Sequence, residues 1–226
     1  MRILFVGNSY TYYNDLPALF EKLANTNGHA VTVDSVTCGG RMLVEYLDKP
    51  DEYTEHLHEL SQSGAFDVCV LQEQSILPIV DYGKFLDGVL RLVRKLGQVS
   101  DRFILYATWG RKEGNSKLSE NGWTRESMTE QLLNAYESAR ETAVKAYQKQ
   151  ITVSPVGKYF LEVNRIEPAL ELFNPDMTHP SYYGSCLAAL THYVAVFGHY
   201  PQNTEILELP EWISDLFVKV IQGKQE

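Results

Sequence analysis

Short apolar runs rich in branched and aromatic residues recur along the chain at positions 2–6, 30–36, 66–71, 102–107 and 150–153. Runs of this length, bounded by Gly, Asn, Asp or Ser, predict buried strands. Between and after them apolar residues return at every third or fourth position. Leu16, Leu19, Phe20 and Leu23 predict a helix over 16–27, with Asn27-Gly28 as its left-handed stop. Phe85, Leu86, Val89, Leu92, Val93 and Leu96 predict a second over 82–96, and Leu132, Leu133, Tyr136, Ala139, Ala143 and Tyr147 a longer one over 127–148. Two more are expected over 181–197 and 211–221. Strands alternating with helices imply parallel pairing through right-handed crossovers, hence a three-layer α/β/α sandwich around a central parallel sheet. Nothing resembling a linker or an internal repeat divides the 226 residues, so one domain is expected.

In such sheets functional residues gather just beyond the carboxyl ends of the strands. The loops there span 7–13, 37–42, 72–78 and 108–123, followed by the segment that runs from the last strand to His179. The first contains Ser9, which can cap a helix, belong to a phosphate-binding loop or act as a nucleophile. The second contains Cys38-Gly39-Gly40, where backbone amides can approach a ligand closely. The third places Gln72, Glu73, Gln74 and Ser75 at the end of an apolar strand, where packing does not call for polar side chains. The last contains Asp176-Met177-Thr178-His179-Pro180. At a spacing of three, Asp176 and His179 share one side of a helical turn, and Pro180 is placed to start the next helix.

These groups make up an acyl-transfer site. A serine hydroxyl becomes nucleophilic when an imidazole takes its proton, and a carboxylate fixes the imidazole tautomer. The Ser9 and Gly40 amides with one side-chain amide would supply oxyanion donors, each worth about 3 kcal/mol of barrier.

The same residues resemble the SGNH (GDSL-like) hydrolase superfamily. Gly7-Asn8-Ser9 is similar to its first block, Gly39-Gly40 to its glycine block, and Asp176-Met177-Thr178-His179, extended by Pro180, Ser181 and Gly184, to its last. The resemblance implies a flavodoxin-like fold and a cofactor-free serine esterase acting through Ser9, Asp176 and His179. The superfamily's Gly-x-Asn-Asp block is missing. In its place Gln72-Glu73-Gln74-Ser75 resembles a stretch of sialate O-acetylesterases and related carbohydrate acetylesterases. That match implies Gln72 as the side-chain oxyanion donor, with Gln74 and Gly39 as fallbacks. It points to a small ester, acetyl first, on a carbohydrate. A lipase- or thioesterase-like hydrolase of longer acyl esters is the nearest alternative. A flavodoxin-like binding protein is the more distant one, weakened by a first loop with a single glycine and no flanking basic residue.

Composition narrows the partners. Twenty Lys and Arg against 29 Asp and Glu leave a formal charge of −9, which disfavours nucleic acid and anionic membrane surfaces. No apolar run approaches a membrane span. Cys38, Cys69 and Cys186 lack metal-ligand spacing and read as reduced, buried thiols; with no leader ahead of the first strand, a cytoplasmic setting is expected. No metal site is expected. Tyr12, Tyr13, Trp109 and Trp123 fall in or flank the strand-end loops, where aromatics line pockets or pack the loop onto the body; Tyr12, Trp109 and Trp123 are candidate substrate contacts. The basic loop between the two tryptophans is expected to shape the entrance.

Overall fold

The computed structural model describes residues 1–223. Strands β1 (Arg2–Gly7), β2 (Thr32–Thr37), β3 (Val68–Leu71), β4 (Arg102–Tyr106) and β5 (Gln150–Ser154) form one sheet in the order β2-β1-β3-β4-β5. Every neighbouring pair is parallel. Side chains alternate across the sheet, and the central strands are covered on both faces. Ile3 and Phe5, Val68 and Val70, and Ile104 and Tyr106 enter one core; Leu4 and Val6, Cys69 and Leu71, and Phe103 and Leu105 enter the other. Two-sided burial is why these runs are continuously apolar. Edge strand β2 keeps Thr32 and Ser35 in solvent.

Helices Leu16–Thr26, Val156–Ile166, Tyr182–Phe197 and Glu211–Gln222 cover the first face. Helices Glu52–Gln62, Tyr82–Leu96 and Arg125–Tyr147 cover the second. Helix Tyr82–Leu96 buries Phe85, Val89, Leu92, Val93 and Leu96, the apolar stripe seen in the sequence, and Asp81 caps it by accepting from the Lys84 amide. Burial of each such side chain stabilises the fold by roughly 1.5–3 kcal/mol. Two long helices fall outside the expected set. Glu52–Gln62 buries only Leu57, Leu60 and Ser61, too thin a stripe to stand out. Val156–Ile166 starts at Pro155 without a side-chain cap, and its buried positions include Gly157. The 108–123 loop also contains a short helix, Ser116–Asn121.

From β1 the chain turns to β2 on one side, then crosses back to β3 on the other. The carboxyl ends of β1 and β3 therefore flank the crevice where ligands bind in open α/β sheets. Among the described residues no helix is long and apolar enough to cross a membrane.

Candidate active site

Strand β1 ends at Gly7, where a Cβ would collide with Thr11 Oγ1 and Gln72 Oε1. Only glycine lets the chain pass so close to β3. Asn8 then caps the short helix Ser9–Tyr12, its side chain accepting from the Tyr10 amide at 3.2 Å. Its Nδ2 donates to the Arg41 carbonyl at 3.0 Å, tying the β1 exit to the β2 exit. Ser9, half-buried, occupies the first helical position, where a backbone amide has no intrahelical acceptor.

Asp176 and His179 meet this serine through a turn, which corrects the expected helical geometry: Met177 is left-handed, with φ of 59°. The turn is built by Asp176 itself. Its Oδ1 accepts from the amides of Thr178 and His179, both at 2.9 Å, which frees Oδ2 to meet His179 Nδ1 at 2.5 Å. His179 Nε2 lies 2.8 Å from Ser9 Oγ. An ionised Asp176 can only accept, so Nδ1 carries the proton and Nε2 is left to accept from the serine hydroxyl. Partial burial pushes the Asp176 pKa up. The hydrogen bonds from the His179 ring and from the two amides outweigh it, so the carboxyl sits below its ordinary range.

The turn is braced from three sides. Asn174 donates its amide to the His179 carbonyl at 2.8 Å, the Lys112 amide to Met177 at 3.1 Å, and Trp109 Nε1 to the Thr178 carbonyl at 3.0 Å. Tyr13 stacks flat on the imidazole, with centroids 4.2 Å apart. Pro180 does not start the next helix. It bridges Phe173 across an antiparallel pair, and Ser181 caps helix Tyr182–Phe197 by accepting from the Gly184 amide.

The oxyanion assignments divide. Among the described residues, no hydrogen bond engages the Ser9 or Gly40 amides. Gly40 is exposed, has φ of 68° and would have nothing within 4 Å of a Cβ. Gly39 lies below Tyr12, whose hydroxyl would stand 3.2 Å from a Cβ there. Gln72 is not available to substrate: it is buried, its Oε1 accepts from the Asn8 amide (2.8 Å) and Thr11 Oγ1 (2.9 Å), and its Nε2 donates to the Glu73 carbonyl. Gln72 is the buried post under the serine loop. Gln74, half-buried, anchors its Oε1 on the amides of Ile76 and Leu77, both at 3.1 Å. Its Nε2 has only a 3.5 Å contact with Ser75 Oγ, so it keeps donor capacity.

Glu73, whose purpose is opaque in the sequence, is fully buried. Its carboxyl accepts from the Leu43 amide (3.1 Å) and the Gln74 amide (2.6 Å), joining the β2-exit and β3-exit loops. Burial pushes its pKa up to about 8 despite those bonds. Arg41, also buried, clamps the same glycine loop through a forked pair with Asp51, at 2.6 and 2.9 Å.

The expected aromatic contacts need correction. Trp109 is 0% exposed, sandwiched between Tyr10 at 4.7 Å and Phe160 at 4.2 Å. It cannot touch substrate and instead holds the Asp176–His179 turn. Trp123 packs on Leu118, Met128 and Leu132. Tyr12 is 43% exposed and remains a contact candidate. The thiols of Cys69 and Cys186 are buried, whereas Cys38 is half-buried; all three are free.

No protein-family model and no curated protein matches the chain. Solved structures do. A candidate SGNH hydrolase from Slackia heliotrinireducens is 27% identical, with a TM-score of 0.71 over 85% of this chain and 96% of its own. A DUF4886 family protein from Bacteroides uniformis superposes with a TM-score of 0.79 at 13% identity, covering 99% and 93%. An acetyl xylan esterase, AlAXEase, gives 0.62 at 16%, covering 87% and 100%. The chain thus has the α/β fold of the SGNH hydrolases, a five-stranded parallel sheet between two helical layers.

Proposed function

We propose that the protein is a serine esterase of the SGNH type that hydrolyses a small ester, acetyl in the first instance, on a carbohydrate. The observation that carries this reading is the continuous chain from Ser9 Oγ through His179 to the Asp176 carboxylate, at 2.8 and 2.5 Å. The structural likeness to an acetyl xylan esterase supports the choice of acyl group.

In the proposed reaction His179 Nε2 takes the proton of Ser9 as its Oγ attacks the ester carbonyl. The tetrahedral oxyanion is met by the free amides of Ser9 and Gly40 and by Gln74 Nε2. His179 then passes its proton to the departing alkoxide, releasing the alcohol and leaving an acyl-serine. Water, deprotonated by the same imidazole, attacks that ester; collapse returns the proton to Ser9 Oγ and frees the acid. Asp176 keeps the imidazole oriented and stabilises the imidazolium in both halves.

A fluorophosphonate probe tests the nucleophile. Intact mass and peptide mapping are expected to show one adduct, on Ser9, that is absent in Ser9→Ala. Unlabelled wild-type protein would contradict the reading.

A further inference from the structure

Beside the triad the chain buries a guanidinium that, among the described residues, pairs with no carboxylate. Arg111 is 9% exposed. Its Nη2 donates to Ser75 Oγ at 2.8 Å and its Nε is without a partner. Among the described residues, no carboxylate forms an ion pair with it. Arg41 and Arg125 are buried as well, and their Nε atoms are likewise without a partner. Arg41 has the Asp51 fork, and Arg125, which also lacks a carboxylate, has two acceptors in the Phe160 carbonyl and Asn164 Oδ1, whereas Arg111 has Ser75 Oγ alone. Even Lys112, next along the chain and more exposed, pairs with Glu171 at 2.5 Å.

The surroundings of Arg111 add donors where acceptors would be needed. Tyr10 Oη is buried, with the Ser75 hydroxyl as its polar neighbour. Ser75 Oγ, which accepts from Arg111, still has a proton to donate. The group also adjoins the catalytic residues. Tyr10 follows Ser9 directly, and its ring lies 5.5 Å from the His179 ring and 5.9 Å from Arg111 Cζ, centroid distances in each case. Ser75 follows Gln74. A guanidinium removed from water without a counter-charge is costly, and its planar fork matches a carboxylate.

We propose that Arg111, Ser75 and Tyr10 form an anion subsite that binds a carboxylate carried by the ester substrate. This rests on the esterase reading of Ser9 and narrows its substrate to esters of molecules that carry a carboxylate. The overall charge of −9 works against anions at long range, so selectivity for them arises locally, at the buried Arg111 beside the triad.

The test measures binding, so that it does not depend on turnover. Ser9→Ala protein is titrated with 4-acetoxybenzoate and its neutral match 4-acetoxybenzamide. A second pair, mono-4-nitrophenyl adipate and 4-nitrophenyl hexanoate, puts the charge on the acyl side. At least one acid is expected to bind tenfold or more tightly than its neutral match. Adding Arg111→Gln should abolish that preference and leave the neutral ligand's Kd within twofold. Tyr10→Phe deletes the buried hydroxyl and keeps the ring that stacks on Trp109; it should cut the preference at least threefold. Equal binding within both pairs would overturn the subsite, as would a preference untouched by Arg111→Gln or by Tyr10→Phe. A charge preference in a protein whose wild type hydrolyses no ester would support the subsite and remove the esterase reading.

Discussion

Tyr13 lies flat against His179, the two rings 4.2 Å apart and within 6° of parallel. The contact covers one face of the imidazole and holds the ring that meets the Asp176 carboxylate and the Ser9 hydroxyl. A π-face over a ring that becomes cationic during catalysis also stabilises the charged form, by about 1–2 kcal/mol where water is displaced. Tyr13→Ala is therefore expected to lower kcat by roughly tenfold, while Tyr13→Phe keeps most of it. Steady-state kinetics of the two variants distinguish a stacking role from a role for the hydroxyl.

Asp176→Asn should leave the turn standing, because Asn Oδ1 can still accept from the amides of Thr178 and His179. The loss falls on the imidazole: an amide facing Nδ1 favours the wrong tautomer. A fall in kcat on the order of 10³–10⁴-fold, with little change in Tm, is expected. An unchanged kcat would place Asp176 outside the reaction.

The two glutamines should separate in opposite directions. Gln72→Met strips the acceptor from the Asn8 amide and Thr11 hydroxyl, both buried, at a cost of about 1–3 kcal/mol for each unsatisfied group. Its main effect is expected in the urea midpoint. Gln74→Ala should lower kcat by about 10²–10³-fold, the usual penalty for losing one oxyanion donor, with a smaller effect on stability from the lost bonds to Ile76 and Leu77. Parallel denaturation and kinetic measurements on both variants check this division.

Glu73 gives stability a pH dependence of defined sign. Burial raises its pKa from an ordinary 4.5 to about 8, so the folded protein holds this proton more tightly than the unfolded chain does. That difference stabilises the fold fully below about 4.5 and is lost as pH rises through 8. Urea midpoints of the wild type should fall as pH rises from about 4.5 to about 8. Glu73→Gln, which cannot ionise, should show a smaller fall. Identical slopes for the two proteins would mean Glu73 is ionised throughout.

The parts of this site that were legible in the sequence are the ones written locally. An apolar strand breaking at Gly7-Asn8-Ser9, and an Asp and a His three residues apart before a helix cap, show themselves in a few consecutive letters. The three central strands were equally plain, because burial on both faces leaves an unbroken apolar run. What escaped depends on side-chain direction after the chain has folded. Tyr13 reaches the imidazole because Asn14 and Asp15, neither of them glycine, take left-handed conformations, and the Asn14 side chain ties the turn to the Pro180 carbonyl. Trp109 sits where a substrate contact was expected, yet its indole turns inward between Tyr10 and Phe160. The choice between Gln72 and Gln74 turns on which amide the serine loop consumes, and that is decided by the close approach at Gly7. The loop that carries Arg111 is legible as basic, but the burial of this guanidinium without an ion pair is a property of the packed loops alone.

The most direct measurement is hydrolysis of 4-nitrophenyl acetate by the wild type and by Ser9→Ala, with circular dichroism to establish that both are folded. Turnover by the wild type and none above background by the variant is the expected result. A folded Ser9→Ala protein that retains wild-type kcat/KM would contradict the assignment of Ser9 as the nucleophile.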